Sequence, residues 1–255
     1  MNDTVTAADP VQLFRETWTT YQKIITSDYM FHRELTRAIA SSLMTLPDIP
    51  LSVIDLGCGD ASQITGILNA HQVAEYRGCD LSLPALELAR HHLEPLGSRV
   101  VLLCEDMLSV LRQAPGNHYD LVFSSFALHH LSSEHKSEFF TQSRRVLREN
   151  GCVILLDIMR EVDETRQDYL DNYFAAAATQ WTEMAGVELS RVENHARNCD
   201  FPETAATLQG MALSAGLDDA ELLEKCTWHH AWRYRHPGVI LGPRFGLTEV
   251  SNGTI

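Results

Sequence analysis

Five short apolar runs alternate with segments of helical periodicity between residues 50 and 160. The runs have strand length and read SVIDL, YRGCD, RVVLLC, YDLVFSSF and CVILLDIM. A strand, a helix and a second strand in succession form a crossover, so consecutive strands run parallel and helices cover both faces of their sheet. YRGCD is the least apolar run, and its position between two helical segments is what indicates a strand there. The alternation therefore predicts an α/β fold built on a mostly parallel sheet.

Residues at the ends of the helical segments support this interpretation. Ser82 is a favourable N-cap for the segment LPALELARHHLEPL, and Asp60 with Gln63 three residues later resembles a capping pair. Asn150 and Gly151 predict a left-handed C-terminal cap that ends the helix before the last of the five runs.

Helical patterns also precede and follow the alternating region. Apolar residues recur at helical spacing over 10–46, and 160–215 is polar and helical in pattern. The segment ELLEKCTWHHAWRYRH predicts two final strands. Residues 237–255 predict an irregular tail, because glycine and proline occur throughout them.

The charge and hydropathy of the chain limit its partners. Lys and Arg number 20 against 34 Asp and Glu, which gives a net charge of −14. A strongly acidic surface repels phosphate backbones, so we expect no nucleic-acid partner. No apolar run approaches the roughly 18 residues of a membrane span, and the N-terminus MNDTVTAADP does not resemble a secretory signal. We therefore expect a cytoplasmic protein without a membrane partner.

Cysteine and histidine patterns predict neither a disulfide framework nor a metal site. The six cysteines show no CxxC motif, which favours free thiols in a reducing compartment. Adjacent histidines occur at 91–92 and at 229–230. Neighbouring side chains point to opposite faces of a strand and lie about 100° apart on a helix, so neither pair is expected to chelate one ion.

Three acidic residues stand where the first three predicted strands end. Asp55 lies in the first strand, Asp80 ends the second, and Asp106 closely follows the third. The carboxyl ends of parallel strands meet at one crevice, where ligands of such sheets bind. Gly57 and Gly59 follow the first acid, and glycine lets the chain turn sharply and a ligand approach the backbone closely. These residues predict a ligand site at this edge of the sheet.

The spacing of the acids indicates the kind of ligand. Asp80 lies 21 residues after Gly59, where a carboxylate accepts hydrogen bonds from the hydroxyls of a ribose. Asp106 can accept a hydrogen bond from the exocyclic amine of a base; Glu105 beside it is an alternative, and a simple helix cap is another interpretation of Asp106. Acids flank the two glycines and would repel a pyrophosphate, so a ligand with a positive group is favoured.

Five motifs along the chain resemble, in order and at normal spacing, those of the class I S-adenosylmethionine-dependent methyltransferases. They are VIDLGCGDAS, YRGCDLS, LLCEDML, YDLVFSSFALHHL and LRENGCVILLDI. The resemblance implies a Rossmann-like seven-stranded, mostly parallel sheet with helices on both faces and an antiparallel last strand. It implies an N-terminal helical lid over 1–48 and a cofactor-binding methyltransferase domain over 49–236. A helical insert over 160–215 would complete the acceptor site, and 237–255 would form a tail.

The resemblance implies S-adenosyl-L-methionine as cofactor, and it assigns four residues to the methionine part. Gly57 and Gly59 would lie against it. Asp55 would hold its ammonium group, directly or through water. The carbonyl of Ser124, at the end of the fourth predicted strand, would lie near the same amine.

Four further residues would bind the nucleoside part. Asp80 would bind the ribose, and Leu81 would pack against the adenine. Asp106 would accept a hydrogen bond from the adenine amine, with the backbone of Met107 near the edge of the ring.

Two histidines are the candidate catalytic residues. His129 and His130 occur in FALHHL just after the fourth predicted strand, a loop that in this family borders the methyl-transfer site. An imidazole has a pKa near neutrality, so it can accept a proton from the acceptor. The choice between the two stays open, as does the alternative that one of them packs against or caps the following helix.

Candidate substrate-binding residues come from two segments beside the predicted sheet. Tyr29, His32 and Arg33 lie together in SDYMFHREL, where the family has its lid. Tyr173 and Arg197 lie in the 160–215 segment, which also carries Tyr169, Trp181 and His195. The alternative is that the first group forms a solvated helix face and that the aromatic residues belong to the core.

The sequence thus predicts an enzyme that moves a methyl group from S-adenosylmethionine to a small-molecule acceptor by in-line displacement. One alternative is an enzyme similar to carboxy-S-adenosylmethionine synthase, which would need an arginine such as Arg191 or Arg197 near the sulfonium. Another is a non-catalytic S-adenosylmethionine-binding subunit. The acceptor, the methylated element and the oligomeric state, including a homodimer, are left open.

Overall fold

A seven-stranded sheet forms the centre of the protein in a computed structural model that describes residues 20–45 and 49–236. Its strands, numbered along the chain, are β1 Leu51–Leu56, β2 Val73–Cys79, β3 Val100–Leu103, β4 Tyr119–Ser125, β5 Leu147–Ile158, β6 Asp219–Cys226 and β7 His229–Arg235. In space they follow the order β3-β2-β1-β4-β5-β7-β6. The first five strands run parallel, whereas β7 is antiparallel to both of its neighbours.

Helices connect the strands and cover the sheet. Within the described residues they are α1 His32–Leu43, α2 Ser62–Leu68, α3 Leu83–His92, α4 Met107–Gln113, α5 Ser133–Val146, α6 Arg166–Gln180, α7 Gly186–Cys199 and α8 Ala205–Ser214. Residues 20–26 are also helical, and short 3-10 helices span Glu94–Arg99 and Leu128–His130.

Apolar side chains on the two faces of the sheet form two separate clusters. All six residues of β1 are buried, as expected for a strand covered on both faces. Its consecutive residues Val53 and Ile54 enter different clusters, and Val153 and Ile154 of β5 do the same. Burying each such side chain stabilises the fold by about 1.5–3 kcal/mol. The period-two alternation of the strands thus fixes which side chains face which helical layer.

The centre of the sheet is the point where the strand order reverses. From β1 the chain proceeds outward to β2 and β3, and from β4 it proceeds to β5 on the other side. In the register of the sheet, Asp55 lies beside Gly78 of β2 and Phe123 of β4. The carboxyl ends of these three strands therefore meet, and a crevice opens at this switch point.

The fold predicted from the sequence is confirmed by this topology. The sheet has seven strands and is mostly parallel with one antiparallel strand, and helices cover both faces. The segment 160–215 is helical through α6, α7 and α8, and the two final strands pair as β6 and β7. The N-terminal lid predicted over 1–48 lies partly outside the described residues and the tail over 237–255 lies wholly outside them, so these boundaries stay predictions.

The helix end predicted at Asn150 and Gly151 is wrong, because the helix ends earlier. Helix α5 ends at Val146, and Leu147 is already extended, with φ −70° and ψ 139°. Its side chain is buried and its backbone pairs with Tyr119 of β4. Packing against the sheet therefore ends the helix before the chain reaches Asn150 and Gly151. Asn150 does adopt a left-handed conformation, with φ 65°, but it does so near the start of β5.

The region 10–46, predicted to be helical, contains two helical stretches in its described part. A turn over 27–30 separates the helical residues 20–26 from α1, and Asp28 and Phe31 both have positive φ values there. The residues before 20 lie outside the described part of the chain. None of the helices that the structure describes combines the length and the apolarity that a membrane span needs.

Candidate active site

A cavity of about 420 Å³ opens at the carboxyl ends of β1, β2 and β4. This volume lies in the range of small-molecule sites. One end is bordered by the loops after β1, β2 and β3, and the other by the turn after β4 and by α6 and α7. Six residues predicted from the sequence to bind the cofactor line the first end: Gly57, Gly59, Asp80, Leu81, Asp106 and Met107.

The turn after β1 needs glycine at Gly57. Its φ is 74°, in the left-handed region, and its N–H donates a hydrogen bond of 2.9 Å to the carbonyl of Cys79. A Cβ at this position would lie 2.4 Å from the Cβ of Ala127, which belongs to the loop after β4. The missing side chain therefore allows two loops to meet at the floor of the cavity.

Asp80 joins the loop after β2 to the glycine turn. One carboxylate oxygen accepts a 2.9 Å hydrogen bond from the N–H of Gly59, and the other accepts a 2.7 Å bond from the N–H of Ser82. Burial raises the pKa of Asp80, although these backbone donors favour the carboxylate and offset part of the effect. The residue is thus held with its carboxylate at the wall of the cavity, where a ribose hydroxyl can reach it.

Asp55 borders a second, smaller cavity of about 30 Å³ that shares Gly57 and Gly59 with the large one. The hydroxyl of Tyr76 donates a 2.6 Å hydrogen bond to its Oδ2. Its Oδ1 is buried and has no hydrogen-bond partner among the described residues. Burial raises the pKa of Asp55 to about 7, against the smaller lowering effect of the Tyr76 hydrogen bond. An orphaned carboxylate oxygen of this kind fits a ligand that donates a hydrogen bond.

Asp106 both caps a helix and lines the cavity. Its Oδ1 accepts hydrogen bonds of 3.0 Å from the N–H groups of Leu108 and Ser109, so it is the N-cap of α4. The two interpretations of this residue from the sequence are therefore compatible. Glu105, the alternative contact, lines the same cavity.

The residue of β4 that reaches the cavity is Ser125, one position beyond the predicted Ser124. The hydroxyl of Ser124 donates a 2.9 Å hydrogen bond to the carbonyl of Leu56, and this residue lines neither cavity. Ser125 lines both, and its hydroxyl is buried without a hydrogen-bond partner in the described structure. Side chains alternate along a strand, so these neighbouring hydroxyls point to opposite faces, and the predicted role of the Ser124 carbonyl stays a prediction.

Two histidines and two carboxylates meet at the other end of the cavity. His129 and His130 lie in the 3-10 turn after β4, and their ring centroids are 4.0 Å apart. The Nδ1 of His129 lies 2.5 Å from Oδ1 of Asp157, the acid near the end of β5. Oδ1 of Asp200, which follows α7, lies 3.7 Å from Nε2 of His129 and 3.2 Å from Nδ1 of His130.

The charges of this cluster depend on each other. Burial lowers the pKa of His129, but the carboxylates of Asp157 and Asp200 outweigh it, so the pKa is raised above its ordinary value. Burial raises the pKa of Asp200, but His129, His130 and His195 together hold it well below its usual range. Asp200 is therefore anionic at neutral pH.

The segment that carries Asp200 is fixed against the histidine turn. The N–H of Phe201 donates a 2.8 Å hydrogen bond to the carbonyl of His129. The ammonium of Lys136, which is 1% exposed, donates to the carbonyls of Leu131 and Phe201. Arg166 donates a 2.6 Å bond to the carbonyl of Asp200. These hydrogen bonds hold Asp200 beside the two histidines.

Aromatic side chains of α6 and the residue that follows it form the wall beside the histidines. Tyr169, Tyr173, Phe174 and Trp181 all line the cavity. The hydroxyl of Tyr173 is 3.0 Å from Nε2 of His229 in β7. This wall gives that end of the cavity a largely apolar surface with a few polar groups.

Four of the five predicted substrate-binding residues lie outside the lining, and Tyr173 lies in it. Tyr29 stacks on Trp181 with a centroid distance of 5.2 Å, and its hydroxyl accepts a hydrogen bond from the N–H of Glu183. His32 is buried against Phe126, and burial lowers its pKa to about 4. The two arginines pair with acids elsewhere: Arg33 with Asp28, and Arg197 with Asp171 and Glu193.

Several lining or supporting residues were not identified from the sequence. Tyr21 lines both cavities, but it was not distinguishable from other aromatic residues on a helical pattern. Asp157 sits inside the apolar run CVILLDIM, where a buried acid could have been noticed. Asp200 follows a polar helix about 70 residues beyond the histidines, and only the tertiary fold brings it to them.

The region that carries this geometry matches a known family model. Residues 53–151 match a model described as a methyltransferase domain. The range extends from β1 into β5 and includes the glycine turn, both strand-end acids of the large cavity and the histidine pair.

A characterised relative matches part of the chain. The protein is 26% identical over 132 residues to phosphoethanolamine N-methyltransferase from Plasmodium falciparum, which corresponds to 50% of this chain and 48% of the relative. The chain thus spans about half the length of that curated relative.

Solved structures share the fold across most of the chain. Magnesium protoporphyrin IX methyltransferase from Synechocystis, solved with bound S-adenosylmethionine, superposes with a TM-score of 0.58 at 14% identity, over 91% of this chain and all of that one. An O-methyltransferase family protein from Burkholderia thailandensis superposes with a TM-score of 0.59 at 16% identity, over 92% of this chain and 75% of that one.

The family model and the relative agree with the five sequence motifs. The sheet topology brings acids and glycines of these motifs together around one cavity. Residues 53–151 thus match a methyltransferase domain, and the chain is similar in fold to methyltransferases of known structure.

Proposed function

We propose that this protein binds S-adenosyl-L-methionine at the glycine-turn end of the large cavity and transfers its methyl group to a small-molecule acceptor at the histidine end. The observation that carries the proposal is the arrangement of the two halves within one cavity. Strand-end acids and the two glycines of the turn after β1 line one half, and His129, His130 and Asp200 beside an aromatic wall line the other. The family relationship supports the same assignment.

The chemistry of the lining fits the cofactor part by part. Asp80 accepts from the ribose hydroxyls, Asp106 or Glu105 from the adenine amine, and Leu81 and Met107 border the ring. Near the methionine, Gly57 and Gly59 give room for the chain, and the orphaned oxygen of Asp55 receives the ammonium group, directly or through water. A cationic amine would also offset the burial of that carboxylate. Ser124 contributes at most its carbonyl, and the hydroxyl of Ser125 supplies a polar group beside the same ligand.

Methyl transfer from a sulfonium requires alignment more than activation. The acceptor atom attacks the methyl carbon in line with the departing sulfur, so holding the two molecules in one cavity supplies much of the rate. The nucleophile of the acceptor would face His129 and His130, where its proton is taken up or its position is fixed. Tyr173 and its aromatic neighbours would bury the apolar body of the acceptor.

The carboxy-S-adenosylmethionine alternative receives no support from the geometry. It needs an arginine near the sulfonium, and neither Arg191 nor Arg197 lines the cavity. Arg197 is engaged by Asp171 and Glu193 instead. A non-catalytic role is also less well supported, because a binding subunit does not need a histidine–carboxylate cluster next to the cofactor half.

Calorimetric titration with S-adenosylmethionine and with S-adenosylhomocysteine tests the cofactor half of the proposal. We expect one site per chain for each. Formation of S-adenosylhomocysteine with a panel of small phenols, thiols, amines and carboxylates tests transfer. Absence of binding to both nucleosides at millimolar concentration would exclude the proposal. Binding without turnover on any acceptor class would favour the non-catalytic alternative.

A further inference from the structure

We propose that His129, His130 and Asp200 bind a divalent transition-metal ion at the acceptor end of the cavity. Each residue offers one ligand atom, and these atoms all lie within 4.8 Å of one another. All three residues line the large cavity. The ion would therefore lie at the wall of the cavity in which the proposed acceptor binds.

The donor set indicates the class of metal. Two imidazole nitrogens and one carboxylate suit Zn²⁺, Fe²⁺ and neighbouring first-row ions, whereas Mg²⁺ and Ca²⁺ prefer oxygen ligands throughout. Three protein ligands leave coordination positions open. That number is typical of catalytic metal sites, in which water or substrate completes the sphere, and structural zinc sites are closed by four protein ligands.

Asp157 provides the second contact that metal-binding histidines usually make. Its Oδ1 lies 2.5 Å from Nδ1 of His129 and also accepts a 2.8 Å hydrogen bond from the N–H of Ile158, and its Oδ2 accepts a 3.0 Å bond from the N–H of His129. The carboxylate is thus fixed, and it assigns the proton of His129 to Nδ1. Nε2 is then the free nitrogen, and it faces Asp200. A carboxylate that orients a histidine in this way is a recurrent feature of metal centres.

The surroundings of the third ligand are equally fixed. Lys136 and Arg166 hold the backbone of the segment that carries Asp200. His195 of α7 lies beside the cluster, with its ring centroid 5.5 Å from that of His130. Its Nδ1 is buried and has no hydrogen-bond partner within the described structure. His195 is therefore available to a metal-bound water or acceptor.

The sequence predicted that no metal is bound, and the histidines considered in that prediction were the pairs at 91–92 and 229–230. That reasoning treated neighbouring side chains on a strand or a regular helix, which diverge. His129 and His130 lie in a short 3-10 turn in which the rings come together, and the third ligand comes from a distant segment. The local geometry removes the objection for this pair.

A metal here would define the acceptor more closely, and this step rests on the proposed function. An acceptor with a hydroxyl, thiol or azole N–H group would coordinate the open position, and its proton would leave to solvent because the ion lowers its pKa. The resulting anion would attack the methyl carbon. The bond to sulfur would break as the new bond forms, and the sulfonium would become a neutral thioether.

Metal analysis of protein purified without a histidine tag tests the inference. We expect up to one transition-metal ion per chain. After treatment with a chelator, titration with Co²⁺ should produce visible ligand-field absorption that saturates at one equivalent. His130→Gln and Asp200→Asn should each weaken Co²⁺ binding by about tenfold or more, since each removes a ligand. His91→Gln, which changes an exposed histidine on α3, is the matched control and should leave the titration unchanged.

Two outcomes would overturn the inference. One is the absence of a stoichiometric Co²⁺ spectrum, and the other is a spectrum and an affinity in both ligand variants that equal those of the wild type. Circular dichroism and thermal unfolding establish that the variants fold. Titration of the chelator-treated protein with S-adenosylmethionine separates this inference from the proposed function. Cofactor binding without metal binding refutes the metal site alone, whereas metal binding without cofactor binding refutes the proposed function alone.

Discussion

The N–H of Gly59 donates a 2.9 Å hydrogen bond to Oδ2 of Asp80, so the turn after β1 is tied to the acid that ends β2. The same carboxylate accepts from the N–H of Ser82 through its other oxygen. Two loops from neighbouring strands are thereby held at one wall of the cavity. A ligand that meets Asp80 also meets the glycine turn, and the two elements act as one binding surface.

Asp80→Asn is expected to weaken S-adenosylmethionine binding by about 10- to 100-fold. The amide keeps the size of the side chain but removes the charge, and hydrogen bonds to a charged group are worth about 1.5–3 kcal/mol. Isothermal titration calorimetry measures the effect. Asp163→Asn, at an exposed position outside the cavity, is the control. Equal affinities for the two variants would remove Asp80 from the proposed ribose site.

Gly57→Ala is expected to lower the free energy of unfolding by about 1–3 kcal/mol, because overpacking and a strained φ each have costs of this order. The new methyl group would lie 2.4 Å from the Cβ of Ala127, and φ is 74°. Urea denaturation measures the change. Gly66→Ala in α2 is the control, since nothing lies within 4 Å of the new Cβ there. The double variant Gly57→Ala, Ala127→Gly should recover the part due to the collision, and no recovery would contradict this explanation.

The ionisation of Asp55 should make both stability and cofactor binding depend on pH. Its pKa is raised from 3.8 to about 7 in the folded protein, with Tyr76 and Asp80 as its main charged or hydrogen-bonding neighbours. A raised pKa gives stability that is complete below pH 3.8 and is lost as pH rises through about 7. The slope between these values approaches about 1.4 kcal/mol per pH unit. In Asp55→Asn the slope should be reduced by that amount, as measured by urea denaturation across this range.

The same ionisation predicts proton release when the cofactor binds. The ammonium group of S-adenosylmethionine favours the carboxylate form of Asp55, so binding near pH 6 should release close to one proton from it. Calorimetry in buffers of different ionisation enthalpy counts that proton. Wild type and Asp55→Asn should differ by roughly one proton, and identical counts would place the ammonium elsewhere.

Lys136→Met is expected to destabilise the protein by about 1–3 kcal/mol. The variant keeps a long apolar stem but leaves the carbonyls of Leu131 and Phe201 without their donor, and an unsatisfied buried group costs about this much. Lys225→Met is the control, because Lys225 forms a half-exposed pair with Glu161 that contributes little. Chemical denaturation of both variants makes the comparison. Similar losses of stability in the two variants would show that the hydrogen bonds from Lys136 to these two carbonyls do not stabilise the protein.

The sequence indicated more of the cavity lining at the strand-end loops than beside the histidines. Asp80 and Asp106 follow strands whose order is set by local alternation, so position along the chain was enough to bring them together. Asp200 reaches His130 only because α6 and α7 pack over the sheet, and no periodicity encodes that contact. Ser125 was not identified, because the prediction at this strand end concerned the backbone carbonyl of Ser124 and not the side chains that face the cavity.

Two residues predicted from the sequence to bind the acceptor should now behave differently. Tyr173 lines the cavity and its hydroxyl lies 3.0 Å from Nε2 of His229, whereas Arg197 pairs with Asp171 and Glu193 outside it. Once an acceptor is known, Tyr173→Phe should change the KM for that acceptor several-fold. The variant removes the hydroxyl beside Nε2 of His229, and the change in this contact perturbs the aromatic wall. Arg197→Gln should leave both KM and kcat within about twofold, since exposed ion pairs contribute little. Steady-state kinetics with both variants decides the matter, and a large loss in Arg197→Gln would restore the arginine to the acceptor site and revive the carboxylated-cofactor alternative.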